Sequence, residues 1–206
     1  AEAQLKLFRK AIRGRISDHS LFNSGDNKED DELWAIGQHY GLKTPLLDWT
    51  YSPYVALFFA FAKADEAEET DNPYRAIYIL NKTAISDDEY FNDIRVLEPR
   101  KDDHGRLVNQ AGLFIFSPND LTIENKLIEV LGSEEYPDAE LRNASQDEGE
   151  EPAILAKYIC KVFIKNVQQK ECLKFLRRMN VHHASLFPDL IGAADYSNIL
   201  IEEWEQ

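Results

Sequence analysis

The chain has 206 residues, 44% of them hydrophobic, and a formal net charge of -14, enough for one sizeable core and, by default, one domain over 1–206. That charge argues against a nucleic-acid backbone or an anionic membrane as a general partner, because both draw on clustered Lys and Arg, though it leaves room for a local basic patch. No run is apolar and long enough to cross a bilayer, the opening residues lack the form of a signal peptide, and the two cysteines have no metal or redox spacing, so a cytoplasmic setting is expected.

Leu5, Leu7, Phe8, Ala11 and Ile12 fall on one helical face, which predicts an amphipathic helix ending near Gly14. Residues 17–31 are polar and turn-rich and read as a loop. From Glu32 to Tyr40 the spacing again suits a helix, with Gly41 as the left-handed residue that closes it. Thr44 to Trp49 reads as extended, since Thr44 precedes Pro45. Ser52-Pro53 is a helix start: Ser52 accepts from orphan backbone amides, and Pro53 loses nothing there by lacking an N–H. The apolar run from Tyr54 to Ala64 is then a helix that must be buried.

Ala76 to Leu80 predicts a buried strand, Lys82 to Arg106 a loop with short local elements, and Leu113 to Phe116 a strand closed by Ser-Pro. Leu121 to Val130 suits a short helix or a strand with a turn. Ser133 to Glu151 is rich in acids and small polar residues and reads as an exposed loop with little order. Alternation from Ala156 to Ile164 favours a strand. Asn166 and Gln169 have capping-box spacing before a helix that Asn180 can end in the left-handed conformation. Ala184 to Phe187 reads as a strand or turn leading into a short helix through Tyr196. Cys160 and Cys172 are expected to fill the core, and His182-His183 and Asp103-His104 lack a third ligand, so no metal is expected.

The residues Gln38-His39-Tyr40-Gly41-Leu42, Leu46-Leu47-Asp48-Trp49-Thr50, Ser52-Pro53 and Ala56 to Ala60 resemble the signature of the FRG-domain family. Arg106 to Phe114, Leu176 to Met179, and Ala184 to Leu190 with Gly192 continue the resemblance in family order. The family's Phe-Arg-Gly strand is not in this sequence, where Arg13-Gly14 falls in the first helix, and Pro45 stands where the family usually has an arginine. A looser resemblance relates Trp49 to Ser52 and the helix after them to the strand end and helix of ADP-ribosyltransferases. It implies an α+β fold with a small mixed or antiparallel sheet flanked by helices, lacking its first family strand. It also implies NAD as cofactor and puts Gln110 at the late-strand position where those enzymes carry a catalytic Glu.

These resemblances make His39, Asp48 and Gln110 the candidate catalytic residues, with Gln38, Tyr40, Trp49, Thr50, Tyr51, Ser52, Gly112 and Phe114 as candidate ligand contacts. Each has a plainer role beside it. His39 suits a helix end bonded to a carbonyl; Asp48 suits a turn or backbone acceptor; Ser52 is first a helix cap whose amides could also receive an anion; Trp49 and Tyr51 suit the core as well as stacking. Gly112 suits either a bulge or close approach of a ligand. Two functions follow: an ADP-ribosyltransferase-like enzyme or its degenerate relative acting on a nucleotide, or a non-enzymatic module that binds a small molecule or peptide.

Overall fold

The chain opens with helix α1 (Glu2–Ala11), which buries Leu5 and leads into buried Ile12, while Leu7, expected on the apolar face, is exposed. The computed structural model describes residues 2–16, 19–22, 27–63, 72–99, 105–116 and 121–204. They form two compact units, one from chain stretches 1–48, 82–101 and 113–155, the other from 49–81, 102–112 and 156–206. Among the described residues the fold is α+β, as expected, with its strands divided between two small sheets. None of these helices is long and apolar enough to cross a membrane.

In the first unit α1 packs on α2 (Asn27–His39), whose Leu33, Trp34 and Ala35 are buried. Helix α2 begins at Asn27, so residues 27–31 correct the expected loop: Glu29 and Asp30 favour a first helical turn by facing its positive end. The rest of that expected loop includes 17–18 and 23–26, which lie outside the described residues. The C-terminus of α2 closes as predicted. Gly41 has φ +82°, the Leu42 amide donates to the Gly37 carbonyl at 2.8 Å and the Gly41 amide to Gln38 at 3.0 Å, the paired bonds of a Schellman end.

After the extended β1 (Leu46–Thr50), the unit resumes at α4 (Lys82–Ser86), a single 3-10 turn (Glu89–Phe91) and β3 (Arg95–Leu97). Strand β4 (Gly112–Phe116) pairs antiparallel with β3, Leu97 opposite Phe114, in a sheet of order β1-β4-β3. Residues 121–130 resolve as helix α6 (Ile123–Leu131), started by Thr122, whose hydroxyl accepts from the Asn125 amide. The region expected to have little order holds α7 (Ala139–Ser145), and α8 (Glu151–Leu155) begins at its last residue. Composition misleads there because Asp138 caps α7 through the Glu140 and Leu141 amides, and Tyr136 and Ser145 are buried.

In the second unit α3 (Pro53–Ala62) starts where the sequence predicts, with the Ser52 hydroxyl accepting from the Val55 amide at 3.3 Å. Its burial is one-sided: Val55, Phe58 and Phe61 face inward, whereas Tyr54 and Phe59 are exposed. Position 64 lies outside the described residues. Strand β2 (Tyr74–Leu80) pairs antiparallel with β5 (Ile159–Lys165), Ile77 opposite Val162. The expected burial of this strand is corrected, since Tyr74, Tyr78 and Ile79 are exposed. So is that of Cys160, which is exposed on β5, while Cys172 does pack against the core.

Helix α9 (Gln169–Arg178) places Leu176 against Val55, Phe58 and Leu186. Its expected Asn166–Gln169 capping box does not form. Gln168, at φ +56°, precedes the helix, and the Gln169 amide group instead donates to the Phe61 carbonyl at 2.6 Å. Together with Arg75, which donates to the Ala60 carbonyl at 2.7 Å, it satisfies two of the open carbonyls at the end of α3. Asn180 is left-handed as predicted, at φ +60°. Residues 183–186 form helix α10 (His183–Leu186) and not a strand, because His182 and Ser185 cap each other reciprocally. Helix α11 (Leu190–Trp204) runs on past Tyr196.

A Cβ added at Gly192 in α11 would sit 2.1 Å from the Phe187 carbonyl oxygen. Backbone is what it meets, so Gly192→Ala should lower unfolding free energy by about 1–3 kcal/mol or more, read from urea midpoints.

Candidate functional site

The candidate residues fall into two clusters, one in each unit. In the first unit, the Schellman end of α2 turns the chain so that Gln38, Thr44 and Asp48 meet. The Leu46 amide donates to Thr44 Oγ1 at 3.3 Å, the Thr44 hydroxyl donates to Gln38 Oε1, and Gln38 Nε2 donates to Asp48 Oδ1 at 2.9 Å. This ordered series fixes the direction of the Gln38 amide, because each donor has one acceptor waiting. Partial burial pushes the Asp48 carboxyl above the ordinary carboxylate value, and the hydrogen bond from Gln38 opposes that. Its side chain nevertheless keeps exposed surface, so water screens the shift and it has little weight for stability. The His39 ring lies edge-on to Tyr40, centroids 5.0 Å apart. Phe114, a candidate ligand contact, is 6% exposed in β4 within this unit's core.

In the second unit, Thr50 Oγ1 donates to the Gln110 carbonyl at 2.6 Å and accepts from the Ser52 amide at 3.0 Å. The Tyr51 amide donates to the Ala111 carbonyl at 2.9 Å. Gln110 ends the short helix α5 (Arg106–Asn109), and its side-chain Nε2 donates to the Leu186 carbonyl at 3.0 Å. A carboxylate at this position would face that carbonyl with no proton to give. Gly112 leaves room for Leu107, whose Cδ2 would lie 3.0 Å from an added Cβ. Tyr51 is exposed and Trp49 half-buried.

Thus Gln38 with Asp48, and Thr50, Tyr51 and Ser52 with the Gln110 turn, are brought together; His39 and Asp48 are described in one cluster and Gln110 in the other. Around Gln110 stand residues that the sequence reading did not select. Arg106 pairs with Asp189 at 3.0 Å and lies over the Phe187 ring, 4.8 Å from its centroid. The Gly192 amide, and less strongly Arg106, hold the Asp189 carboxyl below its ordinary value. His183 stacks on Phe187 at 5.4 Å and meets Phe58 edge-on at 5.2 Å. Arg106 and Asp189 both sit in the motif blocks quoted above, which was the available signal; 83 residues separate them. Among the described residues no three His, Cys, Asp or Glu side chains gather as metal ligands would.

With this geometry in place the chain can be set beside known proteins. The family model described as FRG domain matches residues 2–69, which supports the FRG recognition and contains the whole segment from Gln38 to Ser52. No curated protein matches the chain, and no solved structure does.

Burial lowers the proton affinity of His183 below the ordinary value of 6.5, with Asp195 opposing, and burial lowers that of His182 likewise. A depressed folded-state value means that the stabilisation is full above 6.5 and is lost as pH falls through the folded value. His183→Phe keeps the stacking without the proton. The fall in melting temperature between about pH 7.5 and about pH 5.5 should therefore be smaller in this variant than in the parent protein; an equal fall would show that His183 does not titrate in this way.

Proposed function

We propose that the chain is an FRG-type module that binds a small, nucleotide-sized ligand, NAD being the first to test, and that it is a degenerate relative of ADP-ribosyltransferase-like enzymes which does not transfer ADP-ribose. The observation that carries this reading is the bond from Gln110 Nε2 to the Leu186 carbonyl. At the position where the resemblance puts a catalytic Glu, an amide has neither the negative charge to steady a developing oxocarbenium ion nor a basic site to take a proton. One of its two N–H donors is moreover committed to the protein's own backbone.

Ligand binding is supported in the other cluster. Asp48 is exposed, and the donation from Gln38 to one carboxylate oxygen orients it to accept from hydroxyl or amino groups such as those of a ribose. A transferring enzyme is the second reading, and the raised carboxyl of Asp48 favours it, because a carboxyl pushed toward neutrality is better suited to move protons.

Calorimetry with NAD separates these readings. Binding is expected without release of nicotinamide, and Asp48→Asn should weaken it about tenfold, the cost of roughly one charge-assisted hydrogen bond. Gln110→Glu should gain no turnover and should melt earlier, since it sets a carboxylate against a carbonyl. Absence of any heat at about 1 mM NAD would end the NAD reading, and turnover abolished by Gln110→Ala would replace the module with an enzyme.

A further inference from the structure

The charge of this chain is unevenly distributed. Between positions 156 and 181 there are seven Lys and Arg and one acid, Glu171, a local net charge of +6 in a chain whose total is -14. Strand β5 contributes Lys161 and Lys165 from that segment, both exposed. Side chains alternate across a strand, and the pairing puts Tyr74 opposite Lys165, Ala76 opposite Phe163 and Tyr78 opposite Lys161. One face of the two-stranded sheet therefore carries three aromatic rings interleaved with two ammonium groups. Phe163 is 63% exposed, Tyr74 48% and Tyr78 40%. The opposite face meets α3 at one end, where Arg75 lies over the Phe61 ring, and is exposed at Ile79, Val162 and Cys160.

Within the exposed face the charges are not merely adjacent to the rings. Lys161 Nζ stands 5.2 Å from the Tyr78 centroid and 5.1 Å from that of Phe163, and the Phe163 and Tyr74 rings meet nearly perpendicularly at 6.2 Å. Three rings gathered on one face make a patch on which flat apolar groups can stack. The lysines between them suit a partner that also carries negative charge. We propose that this sheet face binds single-stranded nucleic acid, bases stacking on Phe163, Tyr74 and Tyr78 while Lys161 and Lys165 take the phosphates. A single strand is favoured over a duplex because only unpaired bases offer their faces, and every base has one, so little sequence preference is expected.

The test is fluorescence anisotropy of the whole chain with dye-labelled oligouridine, oligothymidine and a duplex of equal length, at about 50 and about 200 mM salt. Single strands should bind and the duplex should bind more weakly. Phe163→Ala should weaken binding about tenfold, the usual effect of losing one stacked base, and leave the salt slope unchanged. Lys161→Gln should instead reduce the slope by about 0.7, one phosphate contact on a single strand. Both positions are exposed, and circular dichroism verifies that each variant folds; Tyr74→Ala is the second stacking variant. No anisotropy change at about 100 µM protein overturns the proposal. Equal affinity for heparin, for vesicles containing phosphatidylserine or for an acidic peptide, unaltered by Phe163→Ala and Tyr74→Ala, also overturns it and leaves a surface selective for charge alone.

Discussion

Much of the second unit hangs on the two ends of one residue. The Gln110 backbone carbonyl accepts from Thr50, 60 residues earlier, and its side-chain amide donates to Leu186, 76 residues later. Each bond nets only about 0.5–1.5 kcal/mol, but between them they hold three remote stretches in register. The next residue, Ala111, is held at φ +46°, a conformation that a residue with a Cβ adopts only when its surroundings over-determine it. The Tyr51 amide on the Ala111 carbonyl supplies part of that determination. Fixing Leu186 also fixes α10, and hence the contacts His183 and Phe187 make on either side of it. An amide is the side chain suited to this position, since a carboxylate lacks the proton that the Leu186 carbonyl receives.

The features legible in the sequence are those whose cause lies within a few residues. Ser52 and Pro53 announce α3 through capping geometry that needs no tertiary partner, and Gly41 and Asn180 mark helix ends because they tolerate a left-handed backbone. Gln38 and Asp48 were both legible as motif residues, but the bond between them, ten residues apart, was not. Where a side chain has a distant alternative, local reading fails. Gln169 has the right spacing to cap its own helix, yet it bonds to Phe61, and the pairing of Arg106 with Asp189 joins residues 83 apart, where α5 meets α10. Acidic composition between 133 and 151 hid helix α7 for a related reason: low hydrophobicity limits burial on average but does not prevent a capped turn from packing one Tyr and one Ser.

Charge needs the same distinction between an average and a place. Lys126 is buried in an acidic chain because Asp93 and Glu129 both reach its ammonium, at 3.0 and 2.9 Å, and their hydrogen bonds raise its proton affinity against the cost of burial. A total of -14 describes how the chain behaves in a distant field; at contact range, partners meet individual surfaces.

The end of α3 has a consequence for how the chain is made. Two of its last carbonyls are satisfied by Arg75 and by Gln169, the latter 108 residues downstream of Phe61. While a ribosome is still extending the chain toward β5 and α9, these acceptors must be met by water and the apolar side of the helix has no α9 to cover it. Helix α3 thus emerges unfinished, and its closure waits until Gln169 and the helix it begins have been synthesised.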